Sequence, residues 1–200
     1  NNNSSRFGKF VRIHYSEDGC ISGATTLHYL LERSRLVDIS PRERNYHIFY
    51  QLCAAAAAAA DEGSEDDSSQ PALMAPESHE GGGADRSEAK KAHDDDDADA
   101  KSLRRMLRGL KLKRASEYHY LTRNGAVVDV EGRDDADDFE AVAQALHELG
   151  VRRDTEQRQL FRLLASLLEL GQVGFTPTPD GCVVDPQTSA ELGRAAQLLG

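Results

Sequence analysis

Between residues 54 and 100 the chain passes through seven consecutive alanines, Ala54 to Ala60, and then a Ser/Gly-rich acidic stretch that closes on Asp94 to Asp97. Residues 61–100 hold 14 Asp/Glu against 3 Lys/Arg, a net charge of −11. A segment so charged, and so poor in large apolar side chains, cannot bury enough surface to offset the entropy of ordering. It divides the 200 residues into an ordered zone over 1–53, an acidic insertion over 54–100 expected to be disordered, and a second ordered zone over 101–200. The alanines are strong helix formers and are expected to prolong a preceding helix by a turn or two. The whole chain carries −10, so the residues outside 61–100 are close to neutral. The acidity therefore says little about what the folded part binds.

In the first zone Val11, Ile13 and Tyr15 alternate with polar residues, the pattern of a half-buried strand. Ser16-Glu17-Asp18-Gly19 supplies a turn. A second strand is expected from Cys20 or Ile21, although Leu27, Leu30 and Leu31 suit a helix as well as a strand. Ser40-Pro41-Arg42-Glu43 has the form of a capping box with proline at the first helical position. Tyr46, Phe49, Tyr50 and Cys53 then fall on one apolar helix face, which should pack on something large and flat. In the second zone Leu103, Met106, Leu107 and Leu110 mark a basic amphipathic helix. Phe139, Val142, Leu146 and Leu149 mark another, entered through acids that suit a helix N-terminus and closed by Gly150. A third opens at Asp154 or Thr155, with Leu160, Leu163, Leu164, Leu167 and Leu168 inside and Gly171 after it.

Other chemistry is thinly supported. Cys20, Cys53 and Cys182 form no paired motif, the usage of reduced thiols in a cytosolic protein. The seven histidines show no metal-binding spacing, and Asp94 to Asp97 lack the glycine and terminal glutamate of an EF-hand. No apolar run approaches the roughly 20 residues needed to span a membrane. The chain opens on Asn1-Asn2-Asn3 with no signal-peptide pattern, a start that reads as a cut chain. Lys101 to Arg114 hold seven Lys/Arg that could bind phosphate groups or an acidic surface, but a solvated helix face balancing the acidic segment is the better reading.

The string Asn1-Asn2-Asn3-Ser4-Ser5-Arg6-Phe7-Gly8-Lys9-Phe10 sets amides, two hydroxyls and a guanidinium on one loop ahead of a strand. Hydroxyl oxygens suit Mg²⁺, and amides and arginine suit phosphate oxygens or a neighbouring carboxylate. On composition alone, an Asn/Ser-rich turn feeding a hairpin is the better explanation, because such loops are common. Its spelling, however, resembles the switch I loop of myosins. Ile21 to Ala24, Tyr29 to Arg35 and Glu43 to Leu52 (ERNYHIFYQL) continue the resemblance, as do Tyr118 to Leu121, Asp134 to Phe139 and Leu164 to Phe175 (LASLLELGQVGF). It covers residues 1–53 and about 107–175. Departures are Asp38 where the family often has Gln, Glu169 for a frequent His, and Gln172 for a frequent Asn.

The resemblance implies an α/β fold, part of a P-loop NTPase motor domain. A β-hairpin of the central sheet would lead into a mostly helical upper domain interrupted by the insertion. It implies an actin-based, ATP-dependent cytoskeletal motor acting in the cytoplasm. Asn1 and Asn3 would bind nucleotide, Ser4 would sit by the γ-phosphate, Ser5 would ligate the Mg²⁺ of Mg-ATP, and Arg6 would pair with a switch II glutamate. Ser4 and Arg6 would thus be the catalytic residues. The phosphate loop and switch II glutamate of the family would precede position 1 and follow position 200, so the 200 residues alone should be inactive. Actin would meet other parts of the parent, light chains are left open, and neither nucleic acid nor membrane insertion is expected. The alternatives are a non-catalytic interaction protein or truncated product keeping only the motor scaffold, and a binder of nucleic acid or membrane through 101–114.

The acidic composition has a direct test. Amides across Asp94 to Asp97 are expected to exchange without protection in the folded protein; strong protection there would show an ordered segment.

Overall fold

The computed structural model describes residues 8–30, 34–62 and 100–200. β1 (Gly8–Tyr15) and β2 (Ile21–Tyr29) form an antiparallel hairpin in which Gly8 pairs with Tyr29 and Ile13 with Ala24. The strand reading of Leu27 prevails over the helical one; the strand ends before Leu30, at φ 57°. Val11, Ile13 and Tyr15 were expected to be half-buried, but they are 46%, 48% and 62% exposed. The hairpin is two strands wide, and among the described residues no third strand pairs with it. Alternation specified the strand correctly, but cover for a strand face must come from another element.

After α1 (Ser34–Val37) the chain turns before its longest helix. The expected capping box does not form. The Glu43 amide donates to the Ser40 carbonyl at 3.0 Å, closing a turn with Arg42 at φ 66°. A left-handed residue cannot lie in the first turn of an α-helix, so α2 begins later and runs His47–Glu62. It continues through all seven alanines, and Ala55, Ala56 and Ala59 are buried. Methyl-sized side chains on this face allow neighbouring helices to approach closely.

Residues 100–110 form α3, followed by the short α4 (His119–Thr122) and by α5 (Asp135–Glu148). α5 starts as its acids predict: Asp134 Oδ1 accepts from the amides of Ala136 at 2.8 Å and Asp137 at 3.2 Å. Its end differs from expectation, because Leu149 is 81% exposed and belongs to the cap. A five-residue π turn, Arg153–Gln157, then leads into α6 (Arg158–Leu170). The helical run thus starts within a residue of the predicted Asp154 or Thr155, but as a π turn, and the Asp154 carboxylate accepts from the Ser102 hydroxyl of α3 at 2.7 Å. Buried Gln157 meanwhile donates to the carbonyls of Ala143 and Val151, both at 3.0 Å. β3 (Phe175–Thr178) and β4 (Gly181–Val184) form a second hairpin, and α7 (Ser189–Leu199) packs on α6.

Two apolar clusters meet on α2. One gathers Leu52, Ala55 and Ala59 with Leu103, Leu107 and Leu110 of α3, Phe139 and Ala143 of α5, and Phe161 and Ala165 of α6. The other gathers Phe49, Tyr50 and Cys53 with Tyr118, Leu121 and Leu168. The partners of α2 are thus helices, not the flat surface expected. The stripe of α6 that enters the core is Phe161, Ala165 and Leu168, while Leu160, Leu163 and Leu167 are 38%, 47% and 42% exposed. Leucines line more than one flank of this helix, so sequence spacing could not choose the buried one.

Phe139 and Phe161 are fully buried with ring centroids 4.9 Å apart. Phe161→Ala is expected to cost about 3–5 kcal/mol in urea unfolding, and Leu163→Ala less than about 1 kcal/mol. Equal costs would mean that the exposed leucine flank is also core.

Candidate functional site

The five residues singled out by sequence, Asn1, Asn3, Ser4, Ser5 and Arg6, lie outside the described residues. The structure resolves the frame into which their loop runs. At the start of β1 the backbone passes close to Tyr29, its partner across the hairpin: a Cβ on Gly8 would lie 2.6 Å from that ring and would push the exposed side chain aside.

Beyond the hairpin, residues 34–46 are stitched to residues 120–128. The Tyr120 hydroxyl donates to the Leu36 carbonyl at 3.0 Å, and Arg123 donates to the Val37 carbonyl. The Arg42 amide reaches the Gly125 carbonyl at 3.3 Å, and the Val127 amide reaches the Glu43 carbonyl at 3.0 Å. Where this seam meets α2 lies a buried polar centre. The Arg44 guanidinium donates to both carboxylate oxygens of Asp135 and, at 2.7 Å, to the Val128 carbonyl. It also stacks 4.0 Å above the Tyr50 ring. Arg35 donates to the Arg44 carbonyl and to the Glu43 carboxylate. The Tyr50 hydroxyl accepts from the Asn45 amide and donates to the Leu121 carbonyl, both at 3.0 Å. Arg35 and Arg44 were not singled out by sequence reading. Their signal was a pair of arginines flanking a proline turn next to an aromatic helix face.

A second buried polar group sits between α2, α4, α6 and α7. The Tyr118 hydroxyl donates to Glu169 Oε1 at 3.0 Å and accepts from the Lys113 amide at 3.2 Å. Arg194 ion-pairs with the same carboxylate at 3.2 Å. Glu169 is fully buried, whereas Arg194 is 36% exposed. Burial pushes the Cys53 thiol up to about 12, with the Glu169 charge adding to the shift. Burial also raises the Tyr118 phenol, again assisted by Glu169.

These contacts accommodate the residues that depart from the myosin pattern. Asp38 Oδ1 accepts from its neighbour Ile39 at 3.0 Å and from Asn124 Nδ2 at 2.5 Å. Gln172 accepts from the His119 amide at 2.6 Å and donates to the Glu117 carbonyl at 3.0 Å. Gly171 is held by proximity, since a Cβ there would lie 2.7 Å from Tyr120 Cβ. The β3–β4 hairpin was missed by sequence reading. Pro179-Asp180-Gly181 between two short apolar runs was the available signal.

Comparison with known proteins decides the family. The model of the myosin head (motor domain) matches residues 1–68 and 99–200. The chain belongs to this family. It is 34% identical over 200 residues to Myosin-3 of Arabidopsis thaliana and 38% identical over 202 residues to unconventional myosin-Vb of Mus musculus. It is 33% identical over 202 residues to Protein OPAQUE1 of Zea mays. Each alignment takes in all of this chain but only 13%, 8% and 10% of those proteins respectively. The myosin segment described here is α/β, with mixed helices and small antiparallel sheets. Among its described residues no helix is long and apolar enough to cross a membrane.

A thiol whose folded pKa lies above its unfolded value stabilises the fold fully below the unfolded pKa, near 8.5. That contribution is lost as pH rises through the folded value of about 12. Stability is therefore expected to fall across this alkaline window, and less steeply in Cys53→Ala. At pH 8 a thiol reagent should modify exposed Cys20 and Cys182 but spare Cys53 until the protein unfolds. Reaction of all three thiols in the folded protein would contradict this burial.

Proposed function

We propose that this chain supplies the switch I portion of the Mg-ATP site of an ATP-dependent, actin-based motor. One observation carries the reading: NNNSSRFGKF falls within the family match over residues 1–68 and runs into β1 at Gly8. The donor chemistry fits the ligand. Ser5 offers a hard hydroxyl oxygen to Mg²⁺, and Asn1 and Asn3 offer amides to nucleotide oxygens. Ser4 holds its hydroxyl beside the terminal phosphate, positioning the attacking water and passing on its proton. When bound, Mg²⁺ neutralises charge on the β- and γ-phosphate oxygens.

Arg6 is assigned to closing the site. Its planar fork matches a carboxylate through two parallel hydrogen bonds. The partner is a switch II glutamate of the parent motor, in a P-loop NTPase fold to which the β1–β2 hairpin contributes sheet strands. Within the acidic segment read as a lineage-specific loop insertion over 54–100, the family model passes over residues 69–98. Actin filaments and a cytoplasmic, cytoskeletal setting follow for the parent from its membership of the motor family.

In the complete parent motor, Arg6→Ala is expected to lower single-turnover ATP hydrolysis roughly 100-fold or more. ATP binding should change far less, because Ser5 and the rest of the site still hold Mg-ATP. Arg6→Lys should rescue poorly, for it keeps the charge and loses the fork. Exchanging the charges, with glutamate at 6 and arginine at the switch II position, should restore part of the rate. Normal hydrolysis in Arg6→Ala would overturn the switch I assignment.

A further inference from the structure

We infer that the groove between α3, α6 and α7 is a binding site for a small polyphosphorylated anion. It is an open groove of about 1240 Å³, larger than the roughly 300–1,000 Å³ of ordinary organic ligand pockets. Lys101, Arg105 and Lys111 reach it from α3 and the residue just beyond, Arg158 and Arg162 from α6, and Arg194 from α7. Sequence showed only the first of these groups, as part of the basic stretch 101–114. The fold brings the other three arginines to it from positions 47 or more residues further along.

Charge accounting within the groove favours an anion. Asp154 is its only carboxylate among the described residues, and that group already accepts from the Ser102 hydroxyl at 2.7 Å. Lys101, Arg105, Lys111 and Arg158 form no ion pair through their side chains among the described residues. Arg162 spends one N–H on the Gln197 carbonyl at 3.1 Å, and Arg194 is engaged by Glu169. Four uncompensated cations thus face one concavity. Its apolar floor of Met106, Leu110 and Leu198 lowers the local dielectric and focuses their field.

The residue types favour phosphate. Four of the six cations are arginines, whose forks bind phosphate oxygens in pairs. They converge from three helices around one space, so a compact ligand with several phosphates touches opposing walls at once. An extended acidic peptide would engage one wall and leave the rest unmatched.

The test is calorimetric titration of the 200-residue chain with inositol hexakisphosphate and with inorganic tripolyphosphate, at about physiological ionic strength, where exposed charges are screened over roughly 8 Å. Saturable one-to-one binding is expected. Arg158→Gln should weaken it about tenfold or more, since a charge-assisted pair is lost. Arg108→Gln, on α3 but outside the groove, removes the same charge and should weaken it less than about threefold. Arg105→Gln serves as the second groove variant should Arg158→Gln lose its native circular dichroism. Absence of binding, or equal weakening by Arg108→Gln and the groove variants, overturns the site. Tighter binding of a synthetic peptide spanning residues 92–99 than of either polyphosphate reassigns the groove to acidic peptides and also overturns it.

Discussion

The contact between Arg44 and Asp135 joins parts of the chain 91 residues apart, and the arrangement around it depends on its being complete. Both groups are largely buried, so each without the other would be a charge removed from water without compensation. The partners of Arg44 come from several directions, although its buried Nε has no hydrogen bond among the described residues. Asp135 accepts on both oxygens, the Val128 carbonyl takes a further N–H, and the Tyr50 ring covers the cation face. The start of α2, the first turn of α5 and the 120–128 segment must all be in place for that set to exist. None of the three can shift without leaving a buried charge unmatched.

That constraint explains the chain's course ahead of α2. A helix beginning at Pro41 would draw Arg44 into its first turn. The turn at Arg42 instead delivers Arg44 to Asp135, and Arg35 takes up the Arg44 carbonyl from behind. A non-glycine residue in the left-handed region costs about 1–2 kcal/mol, which the charged contacts it permits can offset. Downstream, the Tyr118–Glu169–Arg194 group anchors α7 by the same logic. Here the phenol and the guanidinium both meet Oε1 of the buried carboxylate, while Oε2 has no hydrogen-bond partner among the described residues.

α2 shows how low-complexity sequence can mislead and still be legible. Seven alanines followed by acids resemble the beginning of an unstructured tract. Yet Ala55, Ala56 and Ala59 are core residues because α3 and α5 close against them. Helix propensity told how far α2 could continue. Only packing determined that its alanines would be covered. The same distinction separates the two uses of α3: its leucines pack with α2 and α5, while Lys101 and Arg105 share a groove with cations of α6 and α7.

By itself the sequence determined the first strand and its turn, a helix carrying Phe49, Tyr50 and Cys53, the helices through Leu103 to Leu110 and Phe139 to Leu146, and the family, because local periodicity and ordered motifs are properties of neighbouring residues. It also proposed a phosphate and Mg²⁺ role for Asn1, Asn3, Ser4, Ser5 and Arg6, through the ordered spelling of their segment and not through residue type alone. Tertiary structure decided what depends on residues distant in sequence. It chose which leucine flank of α6 is buried, moved the start of α2 to His47, placed Glu169 against Tyr118 and Arg194, and gathered cations from three helices. Burial and charge pairing are settled by which surfaces come together in space, and no local pattern specifies that.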